Sequence, residues 1–278
     1  IPKRDWSSDV CSSDLREHVR GSYIPFAAQL QLPGVGEADR LLVLYTREQG
    51  KLRAIAKGAR RLRSRKAGHL EPFIRVALLL ARGRDLWIVT QAEALESFLA
   101  LREDLLRTGY AAYVVELLDR FIYEEGPNPA LYQLLVETLQ RLASGEEVFT
   151  AIRFYEIRLL DLLGFRPELF QCVQCRAEIQ PVDQFFSAAQ GGVLCPRCGP
   201  FHQDARPVSM PVLKYLRHFQ RSVYAQARRA HPEPAVREEM EALLQFYLTH
   251  LLERKLNTQD FMRQIRSGNP GAAKKAPD

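Results

Sequence analysis

Between residues 26 and 93 the chain alternates short apolar runs with turn residues, a pattern typical of a small β domain. The predicted strands are FAAQLQL (26–32), RLLVLYT (40–46), KLRAIAK (51–57), FIRVALLLA (73–81) and LWIVTQAE (86–93). Five strands within about seventy residues favour a closed barrel, and the five-stranded OB-type β-barrel is the simplest such barrel. We place this domain at residues 23–98.

After residue 98 the apolar spacing changes to a helical period. The first predicted helix follows an apolar stripe that begins at Leu101 and ends near Gly126. The second begins at Pro129, with Asn128 as its cap, and stops at Gly145. Further helices are predicted at 148–163, 209–229 and 234–256. The chain is therefore an α+β multidomain protein, with a helical domain at 99–266 and a tail at 267–278 that we expect to be disordered.

The helical pattern is interrupted at 165–207 by a segment with two CxxC pairs. Cys172 and Cys175 form the first pair, and Cys195 and Cys198 follow after nineteen residues. A two-residue gap lets both thiolates of a pair reach one tetrahedral ion, and soft thiolates favour zinc over magnesium or calcium. We therefore predict an inserted zinc ribbon with one structural Zn²⁺, because four thiolates leave no position for an activated water. His202 is a possible replacement ligand.

Other interpretations of the cysteines are two disulfides, free thiols or a redox pair. An enzymatic alternative comes from His69-Leu70-Glu71, which with a later CxxC superficially matches the H-x-E and P-C-x-x-C pattern of zinc deaminases. Here Gln171 and Leu194, not proline, precede the two pairs. GxxxxGKS/T, HExxH and GxSxG are absent from the sequence. We therefore expect a protein without catalytic residues, with a deaminase-like enzyme acting on nucleic acid, or a protein-interaction scaffold, as the alternatives.

Positive charge is concentrated in the predicted barrel domain. Residues 23–98 carry 13 basic and 7 acidic groups, whereas residues 99–278 carry 22 of each and residues 1–22 carry 4 of each. Six of the basic groups lie in KGARRLRSRKAG (57–68), which has no acid. Such an excess in a small domain is expected of a protein that binds a polyanion, since neutralised phosphates release counterions. A basic surface without a ligand is the alternative.

The run at 57–68 joins two predicted strands, and arginine can pair with phosphate oxygens and stack on bases. Self-repulsion predicts a loop that is splayed when free and becomes ordered on a phosphate backbone. Tyr45, Phe73 and Trp87 are expected to fill the barrel, with base stacking as the alternative. The candidate DNA-binding residues are Lys51, Arg53, Lys57, Arg60, Arg61, Arg63, Arg65 and Lys66.

The first residues do not resemble part of a fold. DWSSDVCSSDL (5–15) resembles the conceptual translation of a common sequencing adapter, so we expect residues 1–15 to be non-native and residues 1–22 to form a disordered start. No apolar run approaches the ~20 residues of a membrane span, and no secretion signal is visible. A cytoplasmic protein is expected.

Three segments carry a resemblance to a known family: GEADRLLVLYTREQGKLRAIAKGARRLRSRKAGHLEPF (36–73), LLDLLGFRPELFQCVQC (159–175) and GGVLCPRC (191–198). They resemble RecO, the bacterial recombination mediators of DNA repair, over about residues 23–266. The family is an N-terminal OB-fold followed by a helical domain, with a zinc ribbon in many members. The adapter-like start and the weakly β-forming FAAQLQL depart from it.

The resemblance implies binding of single- and double-stranded DNA without catalysis, annealing of complementary strands, and a nucleoid-associated location. It also implies loading of RecA, with RecR, onto DNA coated with single-stranded DNA-binding protein. The helical domain would contact the acidic C-terminal tail of that coating protein. Arg141, Arg153 and Arg158 are the candidate contacts, because they lie beside apolar helix faces.

Overall fold

The computed structural model describes residues 18–26, 36–84, 86–122, 126–253 and 256–266. The chain divides into a barrel unit, residues 1–97 with 124–129, and a helical unit, residues 98–123 with 130–278. The adapter-like segment at 1–15 and the predicted disordered tail at 267–278 lie outside the described residues.

Five strands of the barrel unit pair in the order β1-β2-β3-β5-β4, and β4 returns to β1, which closes the barrel. All pairs are antiparallel except the short contact between β3 and β5, where Ala54 lies opposite Trp87. The strands are β1 (His18–Phe26), β2 (Arg40–Thr46), β3 (Gly50–Ala56), β4 (Arg75–Arg82) and β5 (Trp87–Glu96).

Buried and more exposed side chains alternate along β3, so one face of the strand points into the barrel core and the other points outward. Leu52, Ala54 and Ala56 are buried, whereas Arg53 is exposed. This is the two-residue period of a strand with one buried face. The inward side chains join a single core cluster with leucine and valine from β2, β4 and β5. The basic residues of β3 therefore lie on the outer face.

The first strand differs from its prediction. Most of FAAQLQL, namely residues 27–32, lies outside the described residues, and the described strand β1 begins at His18. The expected disordered start is therefore wrong for residues 18–22. Antiparallel pairing with β4, for example Gly21 opposite Leu78, makes this segment a strand. Such long-range pairing is not visible in a local pattern that contains glycine and proline.

The helical unit follows the predicted order with more breaks. The helices are α1 (Leu99–Glu103), α2 (Leu105–Phe121), α3 (Pro129–Ala143), α4 (Val148–Leu162), α5 (Met210–Arg221), α6 (Tyr224–Ala227), α7 (Pro234–Leu252) and α8 (Asn257–Arg266). Asp104 divides the first predicted helix, because its carboxylate accepts hydrogen bonds from the N–H groups of Leu106 and Arg107 and caps α2. The mixed α+β architecture, with an N-terminal sheet and C-terminal helices, is confirmed.

A small sheet interrupts the helices between α4 and α5. It contains β6 (Gln184–Ser187), β7 (Gly192–Leu194) and β8 (Arg206–Val208) in the order β7-β6-β8. We call residues 165–207, which include most of this sheet and all four cysteines of the CxxC pairs, the ribbon. None of the helices in the described part of the chain has the length and apolar composition that a bilayer crossing requires.

Candidate metal centre and basic loop

The two CxxC pairs of the ribbon converge on one point. The sulfur atoms of Cys172, Cys175, Cys195 and Cys198 all lie within 4.8 Å of one another, and all four are free thiols. The Sγ atoms of Cys175 and Cys195 are 3.8 Å apart. Four sulfurs bound at ~2.3 Å to one tetrahedral ion would lie about 3.8 Å from each other. The geometry therefore fits a tetrahedral metal site with four thiolates.

Backbone hydrogen bonds shape each CxxC pair into a tight turn. The carbonyl of Cys172 accepts from the N–H of Arg176 at 2.8 Å, and the carbonyl of Cys195 accepts from the N–H groups of Cys198 and Gly199, each at 2.9 Å. The N–H of Cys195 also donates to the Sγ of Cys172 at 3.3 Å, which connects the two turns directly. The two turns therefore direct the four thiols toward a common point.

The thiols differ in their tendency to ionise. Burial raises the pKa of Cys172, but N–H groups of Cys175, Cys195 and Gln174 outweigh it and lower the pKa to about 6. Burial and hydrogen bonds to the other thiols raise the pKa of Cys198 to about 12. Like charges this close oppose full ionisation of the cluster. A dication would supply the compensating charge.

The ribbon is attached to the helices through its backbone carbonyls and through aromatic contacts. Arg217 Nε and Gln220 Nε2, both on α5, donate at 2.8 Å to the carbonyls of Leu169 and Pro167. Phe186 of β6 lies edge-on to Tyr247 of α7, with ring centroids 5.4 Å apart. The order of the ribbon is therefore coupled to the packing of α5 and α7.

The residues of the deaminase alternative have structural partners. His69 Nδ1 accepts from the N–H of Ala94 at 3.1 Å, and Glu71 forms an ion pair with Arg40 at 3.1 Å. His202 is not among the groups that could share a metal ion within the described residues. His69, Glu71 and His202 thus have no part in the four-thiol cluster.

The run 57–68, which we call the basic loop, is folded. Gly58, at a φ of +66°, donates its N–H to Asp39 at 2.7 Å, and the N–H of Arg60 donates to the carbonyl of Ala38 at 2.9 Å. Ala59 within the loop and Leu70 just after it are buried in the barrel core. The expectation of a splayed loop is therefore wrong, because these anchors oppose the repulsion between its charges.

Most cations of the basic loop project into solvent. Among the described residues, no carboxylate forms an ion pair with a cation of this loop. Lys66 differs from the other cations, because it is half-buried and its Nζ donates to the carbonyl of Val89 at 3.0 Å. Burial lowers the pKa of Lys66, against the opposing effect of Asp39. Lys66 therefore anchors the loop. The five exposed cations are Lys57, Arg60, Arg61, Arg63 and Arg65.

The remaining barrel candidates divide between surface and core. Arg53 is exposed on β3, and Lys51 is half-buried on the same face. Tyr45 and Phe73 are buried, as predicted for core side chains, and Trp87 packs partly buried against the core cluster. Burial raises the pKa of Tyr45 to about 12. Two of the three aromatic rings are thus unavailable for base stacking.

Arg153 does not belong to any surface. Its side chain is 3% exposed and forms an ion pair at 3.1 Å with Glu156, which also accepts a hydrogen bond from Tyr113. The prediction that Arg153 contacts a partner is therefore wrong. A position beside an apolar helix face does not by itself make a charge solvent-exposed, because here a carboxylate three residues later lets the guanidinium lie in the core.

The other two predicted contacts are also engaged within the helical unit. Arg141 pairs with Glu137 at 2.6 Å and its guanidinium lies 3.8 Å from the centre of the Tyr224 ring. Arg158 pairs with Asp161 at 3.4 Å and donates to the carbonyl of Ser222. Both stabilise helix packing.

A second basic surface, on α5, was missed. Lys214, His218 and Arg221 are exposed, and the Arg221 guanidinium lies 3.8 Å from the centre of the Phe170 ring. Residues 99–278 carry equal numbers of basic and acidic groups, so this cluster is visible in the sequence only over a segment of about one helix length. Residues 205–231 hold no acid and six basic residues, namely Arg206, Lys214, Arg217, Arg221, Arg228 and Arg229.

Comparison with known proteins identifies two matching family models. "Recombination protein O N terminal" matches residues 30–98, and "Recombination protein O C terminal" matches residues 102–260. A "DNA repair protein RecO" of Roseiflexus sp. is 42% identical over 83% of this chain and 81% of its own. Proteins of the same name from Desulforudis audaxviator and Symbiobacterium thermophilum are 42% and 37% identical, over 86% and 83% of this chain and 95% and 92% of theirs.

Close packing at the second CxxC pair leads to a stability prediction. A Cβ on Gly199 would overlap the Phe185 ring, whereas a Cβ on Gly68 would meet nothing within 4 Å. We expect Gly199→Ala to lower the free energy of unfolding by about 1–3 kcal/mol, as overpacking does, and Gly68→Ala to change it by less than about 0.5 kcal/mol. Chemical denaturation of both variants measures this, and equal stabilities would contradict the packing.

Proposed function

Because this chain belongs to the RecO family of DNA repair proteins, we propose that it is a recombination mediator that binds DNA without catalysing a reaction. In this proposal it anneals complementary strands and, with RecR, helps to load RecA onto DNA coated with single-stranded DNA-binding protein. The observation that carries the proposal is the folded basic loop with its five exposed cations. A cytoplasmic, nucleoid-associated location follows from the proposed role.

The proposed DNA surface consists of the basic loop and the outer face of β3. We assign the barrel unit to the OB type, in which the face of strands 2 and 3 contacts nucleic acid. Arg53 and Lys51 lie on this face of β3, and the chain enters the basic loop directly after it. The proposed domain at 23–98 would thus present one continuous basic segment to the phosphates.

The loop geometry favours binding by charge. Its turns and buried anchors order the backbone before DNA arrives, which reduces the entropy lost on binding. Arginine forks would engage phosphates of single- or double-stranded DNA with little preference for sequence. Annealing would follow if cations on one surface screen the repulsion between two strands. The five exposed cations and the lack of ion-paired carboxylates among described residues support this mechanism.

The ion proposed for the four-thiol cluster is one structural Zn²⁺. Cys172, Cys175, Cys195 and Cys198 would each supply a thiolate, and the ion would compensate their charge. Four protein ligands complete a tetrahedral shell, so the site would stabilise the ribbon and not activate a water. Because the ribbon is bound to α5 and α7, part of the metal-binding free energy would stabilise the helical unit.

The exposed face of α5 replaces Arg153 as the proposed contact for the acidic tail of single-stranded DNA-binding protein. Lys214 and Arg221 are exposed on this helix, in a segment without acids. Arg141 and Arg158 are weaker candidates, since both already have partners inside the unit. An acidic peptide would find charge complementarity on α5.

The DNA proposal predicts a change in salt dependence. Replacing Arg60, Arg61, Arg63 and Arg65 with alanine should weaken single-strand binding and make the slope of log K against log salt shallower by about 3, if each arginine neutralises one phosphate. Fluorescence anisotropy across a salt series measures both quantities. The matched control removes four exposed arginines of the helical unit, Arg166, Arg197, Arg228 and Arg229, and should retain the slope. An unchanged slope in the loop variant would rule out the loop as the DNA site.

The zinc proposal predicts one zinc ion per chain by elemental analysis. Cys172→Ser and Cys198→Ser should each lose most of this zinc and lower the melting temperature, because metal binding and ribbon folding are coupled. Cys11→Ser is the control, since Cys11 has no CxxC partner in the sequence. Chelation that removes the zinc without changing the melting temperature would argue against a structural role.

The α5 proposal predicts that Lys214→Ala with Arg221→Ala weakens binding of a fluorescent peptide with the acidic tail sequence by about tenfold or more. Arg166→Ala with Arg197→Ala removes the same charge from the same unit and should have little effect. Titration by anisotropy gives the two dissociation constants. Equal affinities for the two double variants would place the tail elsewhere.

A further inference from the structure

An apolar side chain lies in the middle of the basic loop. Leu62 has a relative exposure of 106%, the highest among the exposed large apolar side chains of the described residues. Its sequence neighbours Arg61 and Arg63 are exposed cations. Leucine is ordinarily buried, and an isolated exposed leucine on a flat surface needs no explanation. Leu62 is different because of its position in the loop.

The backbone holds Leu62 away from the barrel core. The N–H of Ser64 donates to the carbonyl of Arg61 at 2.9 Å, so Leu62 and Arg63 occupy the two central positions of a hydrogen-bonded turn. A preceding turn is closed by the N–H of Arg61, which donates to Gly58 at 3.1 Å. Residues 60–63 form the exposed part of the loop, while Ala59 and Leu70 enter the core. Leu62 is thus presented on an ordered projection.

The charge around Leu62 indicates what would cover it. Every exposed charged residue from Lys57 to Arg65 is a cation, and none forms an ion pair with a described carboxylate. A ligand that fits must offer an apolar surface bordered by several anions. A nucleic acid strand has this arrangement, since its bases, which have apolar faces, project from a backbone that carries one phosphate per nucleotide.

We propose that Leu62 packs against nucleobases, as an apolar wedge between bases or on an unstacked base, while the neighbouring arginines hold the phosphates. This inference rests on the proposed DNA-binding function and adds a residue that contacts bases to a surface otherwise defined by charge. Apolar side chains inserted at base steps partly unstack them in other nucleic-acid-binding proteins. Contact with bases does not release counterions, so its contribution does not depend on salt.

The test compares Leu62→Ala with Leu95→Ala. Leu95, on β5 of the same unit, is 52% exposed and provides a matched loss of an exposed leucine. A single-stranded oligonucleotide with one 2-aminopurine among adenines reports unstacking by its fluorescence, and anisotropy across a salt series reports affinity. If Leu62 unstacks bases, binding of the unchanged protein should increase the 2-aminopurine fluorescence. We expect Leu62→Ala to bind on the order of tenfold more weakly at every salt concentration, with an unchanged slope of log K against log salt, and to lose this fluorescence increase. Leu95→Ala should behave like the unchanged protein.

The outcomes separate this inference from the proposed function. If the unchanged protein shows no salt-dependent DNA binding, the proposed function fails and the wedge fails with it. If it binds DNA, and Leu62→Ala retains both affinity and fluorescence, only the wedge is wrong. A change in salt slope alone would show that Leu62 acts by positioning arginines, which also overturns the proposal. Loss of binding to anionic phospholipid vesicles with unchanged DNA binding would assign Leu62 to a membrane surface instead.

Discussion

Both candidate sites depend on like charges that the backbone holds close together. In the basic loop five exposed cations are kept in place by the hydrogen bond from the Gly58 N–H to the Asp39 carboxylate and by burial of Ala59. In the ribbon four thiols lie within 4.8 Å of one another because the CxxC turns and strand contacts place them there. Each arrangement opposes its own formation until a counter-charge arrives. The barrel scaffold therefore holds the loop cations ready for a polyanion, whereas in the ribbon the free energy of metal binding would contribute to folding.

The ribbon connects metal binding to the stability of the helical unit. Its carbonyls at Pro167 and Leu169 accept hydrogen bonds from α5, and Phe186 packs on Tyr247 of α7. A loosened ribbon would leave Gln220, a buried side chain, without its acceptor at Pro167. Buried polar groups that lose their partners are costly, so disorder in the ribbon would extend into the helices. A purely structural ion could in this way keep α5, and the basic residues exposed on it, in place.

Arginine has two separate roles in this chain. On the basic loop it is exposed and unpaired with described carboxylates, which suits it to an external anion. Inside the helical unit Arg153 pairs with Glu156 and Tyr113 completes the cluster, a buried arrangement that would be strongly destabilised by loss of one partner. Charge alone cannot distinguish these roles. Burial decides which arginines face a partner and which hold helices together.

Local patterns in the sequence determined much of this protein, and tertiary contacts determined the rest. Four strand positions, the start of α3 at Pro129 and the four cysteines that could share a metal ion could be predicted, because period and spacing depend on neighbouring residues. Strand β1, the burial of Arg153 and the anchoring of the basic loop on the barrel could not. Each of these depends on residues distant in sequence: β4 for the strand, Tyr113 for the buried arginine, and the barrel core for the loop. A sequence shows which groups are available, and only the fold shows which of them meet.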